Sequence, residues 1–121
     1  MTIAWRPGQP NVPMRRVAGF EQATQPGDFW FQTRVTISEY RTVEPHEGVR
    51  PSDIWFKDNR GRFHRVSINP EKMSNGAGWD WDGDWEKPTL SPSILSSFDK
   101  DNQRVVLWHG YVRGGVVGFE C

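Results

Sequence analysis

No stretch of this chain carries apolar residues at helical spacing over 11 or more positions, and 12 glycines and 9 prolines punctuate it throughout. Proline removes an amide donor and clashes inside helices, and in sheets it is confined to edges, strand starts and bulges. The expectation is a mainly β protein: one small domain built as a twisted antiparallel sheet, a sandwich or a partly open barrel, with an extended N-terminal arm. A chain of 121 residues fits one domain and can bury a core without staples. Only 36% of it is hydrophobic, so the 7 tryptophans and 7 phenylalanines must supply much of that core.

Charge narrows the function classes. There are 15 basic and 15 acidic residues, which leaves no net basic footprint for nucleic acid. The one cysteine, Cys121, permits no internal disulfide and favours a reducing compartment. No apolar run is long enough for a membrane helix, and the N-terminus has no signal-peptide core. A soluble, cytoplasmic protein is expected.

Taken in order, residues 1–27 are rich in proline and read as an arm, with residues 28–121 as the β domain. Arg15 and Arg16 in the arm could meet an acidic partner or lie solvated on their own domain. Asp28 to Ser38 alternates as a half-buried strand with Phe31, Thr33, Val35 and Ile37 on one face. Glu39 to Arg50 reads as a polar loop holding a solvated His46. Asp53–Lys57 and Arg62–Ile68 flank Asp58-Asn59-Arg60-Gly61 as a hairpin, because Asp, Asn and Gly tolerate tight turns. A second loop spans Asn69 to Gly78. After the polar turn Asp99–Gln103, the strand Arg104–His109 precedes a closing hairpin with Gly114-Gly115 at its turn.

The most biased stretch is Trp79 to Ile94, WDWDGDWEKPTLSPSI. Period two sets Trp79, Trp81 and Trp85 on one side and Asp80, Asp82 and Asp84 on the other. With Glu86, these carboxylates suggest a calcium loop, yet Gly83 falls at the fourth place and Ser91 at the twelfth, so the EF-hand pattern fails. An exposed ring could serve as a platform for sugars or unstacked bases; the alternative is that the rings are core and the acids a solvated face.

Ile54 to Phe119 resembles a family of small phage and prophage proteins of unknown function, whose members often carry an "ammonia monooxygenase" label. The resemblance rests on Gly61, His64, Trp81, Asp82-Gly83-Asp84, the run Pro88-Thr89-Leu90-Ser91-Pro92-Ser93, and His109, Gly115 and Phe119. The family pattern also has a Cys-x-x-Cys turn and a Cys before the last histidine, which together imply a structural zinc site. Here those positions are Lys57, Arg60 and Trp108. The resemblance therefore implies a member that has lost its metal, with a salt bridge or aromatic packing around Trp108 holding the hairpin instead.

His64 and His109 could still combine with Asp80, Asp82 or Asp84 as a two-histidine-carboxylate metal site; the alternative is that each is an ordinary strand residue. No phosphate loop or Cys/His pair is present, and Ser91, Ser93, Ser96 and Ser97 lack a Gly-x-Ser-x-Gly elbow. The reading that follows is a non-catalytic phage-encoded accessory protein without cofactor that binds a host protein, such as an inhibitor of a host defence system or enzyme. Its expected contact residues are Trp79, Asp80, Trp81, Asp82, Asp84 and Trp85, with Arg15 and Arg16 as a second patch. Two alternatives stand beside it: a metal-dependent hydrolase using His64, His109 and an aspartate, and a virion structural component.

Overall fold

The computed structural model describes residues 11–68 and 78–119, and it is mainly β. The chain runs through β1 (Asn11–Pro13), β2 (Arg15–Arg16), β3 (Asp28–Arg34), β4 (Tyr40–Thr42), β5 (Asp53–Lys57) and β6 (Phe63–Ser67). It continues through β7 (Asp80–Trp81), β8 (Leu90–Ser91), β9 (Ile94–Lys100), β10 (Gln103–Arg113) and β11 (Val116–Phe119). One sheet has the order β1-β11-β10-β9 and a second the order β2-β3-β5-β6, with β4 added on β3; β7 and β8 form a separate pair. Among the described residues no helix is long and apolar enough to cross a membrane.

The two larger sheets share one core. Phe29, Phe31, Ile54, Phe56, Val66 and Ile68 come from the second sheet and its margin. Leu90, Ile94, Trp108, Val112 and Val117 meet them from the other side. Each such side chain contributes about 1.5–3 kcal/mol on burial, so a few large rings compensate for the small apolar fraction. Alternation along β3 sends Trp30 to the other face, where it stacks on its cross-strand partner Trp55 at 5.7 Å.

The arm belongs to both sheets. Asn11–Pro13 pairs antiparallel with β11, and Arg15–Arg16 pairs parallel with β3. The crossing is tight at Gly27, where a Cβ would lie 2.2 Å from the Pro13 carbonyl oxygen and φ is +90°. Residues 1–10, all but the last residue of the loop expected over Asn69 to Gly78, and residues 120–121, with Cys121 among them, lie outside the described residues.

The strand expected over 28–38 ends at Arg34. The amide of Val35 donates to the Glu39 carbonyl, and the chain returns as β4 inside what reads as a loop. Val35 and Ile37 therefore stand in solvent, Ile37 at 88% exposure, because local turn geometry overrides their alternation. The 45–47 segment is a 3-10 turn capped reciprocally by Glu44 and Glu47, with His46 exposed. The 53–67 and closing hairpins form at the expected places, and Asp101 and Asn102 take positive φ at the tip of the β9–β10 hairpin.

Candidate active site

The acidic stretch folds on itself. Asp82 Oδ1 accepts from the amides of Asp84 (3.0 Å) and Thr89 (3.2 Å). Asp84 Oδ1 accepts from the amides of Lys87 (2.8 Å) and Glu86 (3.0 Å), which hold its carboxyl below the ordinary value. The Trp81 indole donates to the Asp84 carbonyl at 3.0 Å. These are turn-forming bonds of the kind short acidic side chains make with following amides. Asp80, Asp82 and Asp84 are exposed, while Trp79, Trp81 and Trp85 are half-buried against the core. Trp81 and Trp85 both pack on Phe31, at 4.9 and 4.8 Å between ring centroids, and on each other at 5.3 Å.

The segment that follows is fixed by the closing hairpin. The Gly115 amide donates to the Pro88 carbonyl (3.1 Å) and the Gly114 amide to Thr89 Oγ1 (2.8 Å). Gly115 is required there: φ is +78°, and a Cβ would lie 2.8 Å from Lys87 Cβ and 2.9 Å from its Cα. Leu90–Ser91 then pairs with Asp80–Trp81, and the Trp79 indole donates to the Ser93 carbonyl at 3.4 Å. Ser93, immediately before β9, thus has its carbonyl held by Trp79 and follows a paired strand.

Ser93 Oγ lies 3.4 Å from His109 Nε2. Both residues are half-buried, open enough for a reactant to approach. Alternation along β10 places Trp108 in the core and its neighbour His109 on the outer face. His109 is the cross-strand partner of Leu95, two residues from Ser93 and on the same face. A serine hydroxyl facing an imidazole nitrogen is the nucleophile-and-base pair of acyl transfer, and such contacts are commonly loose before substrate binds.

His64 has a different situation. Its Nε2 donates to Asp58 Oδ2 at 2.6 Å, with the two side chains 8% and 0% exposed. Burial pushes the Asp58 carboxyl up, but the bond from His64 and the amides of Arg62 and Arg60 outweigh it and hold the carboxyl below its ordinary value. The His64 ring clusters with Phe56 (5.2 Å) and Trp108 (4.9 Å), which also touch each other at 5.9 Å, and the Trp108 indole donates to Asn59 Oδ1 at 2.8 Å. His64 therefore lies on the core side of Trp108 and His109 on the outer side, so the two histidines do not form the metal site considered from sequence. Among the described residues no group of three or more His, Cys, Asp or Glu side chains is arranged to hold a metal ion. Lys57 places its ammonium over the Phe63 ring at 4.9 Å, and Arg60 is exposed.

Arg15 and Arg16 bind acids of their own chain. Arg15 forks onto Asp28, Nε to Oδ1 at 3.0 Å and Nη2 to Oδ2 at 2.8 Å, and Asp28 also accepts from the amides of Thr24 and Gln25. Arg16 bonds Glu44 and Glu86, which ties the arm to the 82–87 loop.

Residues 35–120 match the family described as bacterial ubiquitination-like system serine protease, BubE. The chain belongs to the BubE family. The match spans β4 to β11 and takes in both Ser93 and His109. No curated protein and no solved structure matches the chain. BubE membership overturns the expectation of a non-catalytic accessory protein that inhibits a host component, since the family is named for an enzyme of a bacterial system. The metal-dependent hydrolase and the virion component fall with it.

Sequence reasoning set Ser93 aside because no Gly-x-Ser-x-Gly elbow surrounds it. The signal that could have found it was present: Ser93 closes the Pro-Thr-x-Ser-Pro-Ser run, and His109 is retained beside it. From sequence His109 is weighed only as a metal ligand or an ordinary strand residue, and a metal site gives a serine no role.

Proposed function

We propose that this BubE-family chain is a serine protease that acts on a polypeptide of a bacterial ubiquitination-like system, with Ser93 as nucleophile and His109 as general base. The observation that carries the reading is the 3.4 Å approach of Ser93 Oγ to His109 Nε2 within the matched region. His109 Nε2 takes the Ser93 proton as Oγ attacks the carbonyl carbon. It returns that proton to the departing amine, which leaves an acyl-enzyme on Ser93. Water, deprotonated by His109, then releases the acid and restores the serine.

The alternative histidine is less suited to this step. His64 Nε2 is committed to a buried Asp58, and the ring is packed against two aromatic rings. His109 instead shares an accessible face with Ser93. Active-site titration with a fluorophosphonate tests the reading: the adduct is expected on Ser93, and Ser93→Ala and His109→Ala are each expected to abolish labelling and peptide cleavage. Cleavage that survives Ser93→Ala would overturn it.

A further inference from the structure

We propose that the cleft between β6 and β9 receives the substrate as an added extended strand, which leads its scissile carbonyl to Ser93; this rests on the protease reading above. The cleft has a volume of about 380 Å³ and is lined by Phe63, His64, Arg65 and Val66 on one side and by Ile94, Leu95, Ser96 and Ser97 on the other, with Trp79 between them. Four successive residues line it from each strand. Successive side chains alternate between the faces of a sheet, so an unbroken run on each wall means that the cleft follows the strand edges.

Trp79 takes the end of the β6 edge, its amide donating to the Ser67 carbonyl at 2.8 Å and its backbone pairing parallel with Ile68; beyond it no described strand covers the outer edge of β6 or β9. β6 ends one sheet order and β9 ends the other. An unpaired edge offers a row of amides and carbonyls that a further extended chain can satisfy. Four residues of strand span about 13 Å. A polypeptide backbone is the ligand whose donors and acceptors recur at that spacing.

The cleft also leads to the reactive serine. Trp79 lines it and donates its indole N–H to the Ser93 carbonyl, and Ile94, another lining residue, directly follows Ser93. Leu95 lines it, is 43% exposed and shares a face with Ser93 and His109. A strand laid along β9 toward its first residue arrives at Ser93.

The test compares cleavage of a mixed-sequence decapeptide library with labelling by a small fluorophosphonate, which needs Ser93 but no strand pairing. Ser97→Trp and, separately, Ser97→Lys obstruct the cleft; Val35→Glu, in the exposed β3–β4 turn, is the control. Each obstructing variant is expected to lower the ratio of cleavage to labelling by about tenfold, chiefly through KM. An unchanged ratio in folded variants that label at Ser93 overturns the cleft assignment and leaves the protease reading standing. Absence of Ser93 labelling in the wild type overturns both. A wild-type dimer that either variant dissolves without changing the ratio would assign the cleft to a second copy of this chain and overturn the substrate assignment.

Discussion

The Trp108 indole N–H donates to Asn59 Oδ1 at 2.8 Å, joining β10 to the turn between β5 and β6 across 49 residues of sequence. Both groups are buried, so neither can exchange its partner for water. Asn59→Ala is expected to cost about 1–3 kcal/mol, because it leaves a buried indole donor unsatisfied. Trp108→Ala is expected to cost about 3–5 kcal/mol through the cavity it opens. Urea unfolding followed by tryptophan fluorescence measures both.

The Asp58–His64 pair predicts acid sensitivity. The Asp58 carboxyl is held below its ordinary value in the folded protein. The unfolded chain therefore takes up its proton first as pH falls. The stabilisation is fully present above the unfolded value of about 3.9 and is lost as pH falls through the folded value below it. Asp58→Asn is expected to remove this contribution to the slope of stability against pH in that window. Thermal unfolding at a series of acid pH values reads the slope; an unchanged slope in the variant would show that other carboxylates carry it. Asp58→Ala is expected to cost about 1–3 kcal/mol, since it leaves the buried His64 N–H without its acceptor.

Gly115 connects fold to activity. Gly115→Ala must accept a positive φ and drives a methyl into the Lys87 backbone, while the adjoining turn anchors Pro88 and Thr89. The expected cost is about 1–3 kcal/mol in stability. A fall in fluorophosphonate labelling rate, in protein that is still folded, is expected with it, because the run ending at Ser93 loses its register. Labelling at the wild-type rate would show that this turn does not position Ser93.

Much of the fold was legible because its signals are local. The Asp-Asn-Arg-Gly and Gly-Gly turns mark the 53–67 and 111–119 hairpins, and β5 and β6 alternate as their sequence predicts. The β3–β4 turn was not, since Val35 and Ile37 fit a strand by composition and only the return pairing of Tyr40–Thr42 shows that the chain reverses. The joining of both sheets by Asn11–Arg16 is also nonlocal, as its strand partners are 13 to more than 100 positions away.

The site was the least legible part. Ser93 and His109 are 16 residues apart, and what brings them together is the register that pairs Leu95 with His109. Sequence supplies residue types but not that register. The tryptophans and aspartates of 79–85 stand out by composition, and the structure shows what four of them do locally: the Trp81 and Trp85 rings cover Phe31, and the Asp82 and Asp84 carboxylates cap amides of the loop that delivers Pro88. Arg15 and Arg16 meet acids, as basic side chains in an arm could be expected to, but the acids belong to the same chain.

If Ser93 and His109 act as one unit, their effects do not add. Ser93→Ala and His109→Ala are each expected to lower kcat by at least about a thousandfold, and the double variant by no more than the worse single one. Single-turnover peptide cleavage measures this. Losses that multiply would show that the two residues act separately.

The measurement closest to the central claim is peptide mapping by mass spectrometry of the wild-type protein after reaction with a fluorophosphonate. The account predicts one adduct, on Ser93, whose formation is lost in a folded His109→Ala variant. An adduct on another serine, or none on protein shown to be folded, would contradict it.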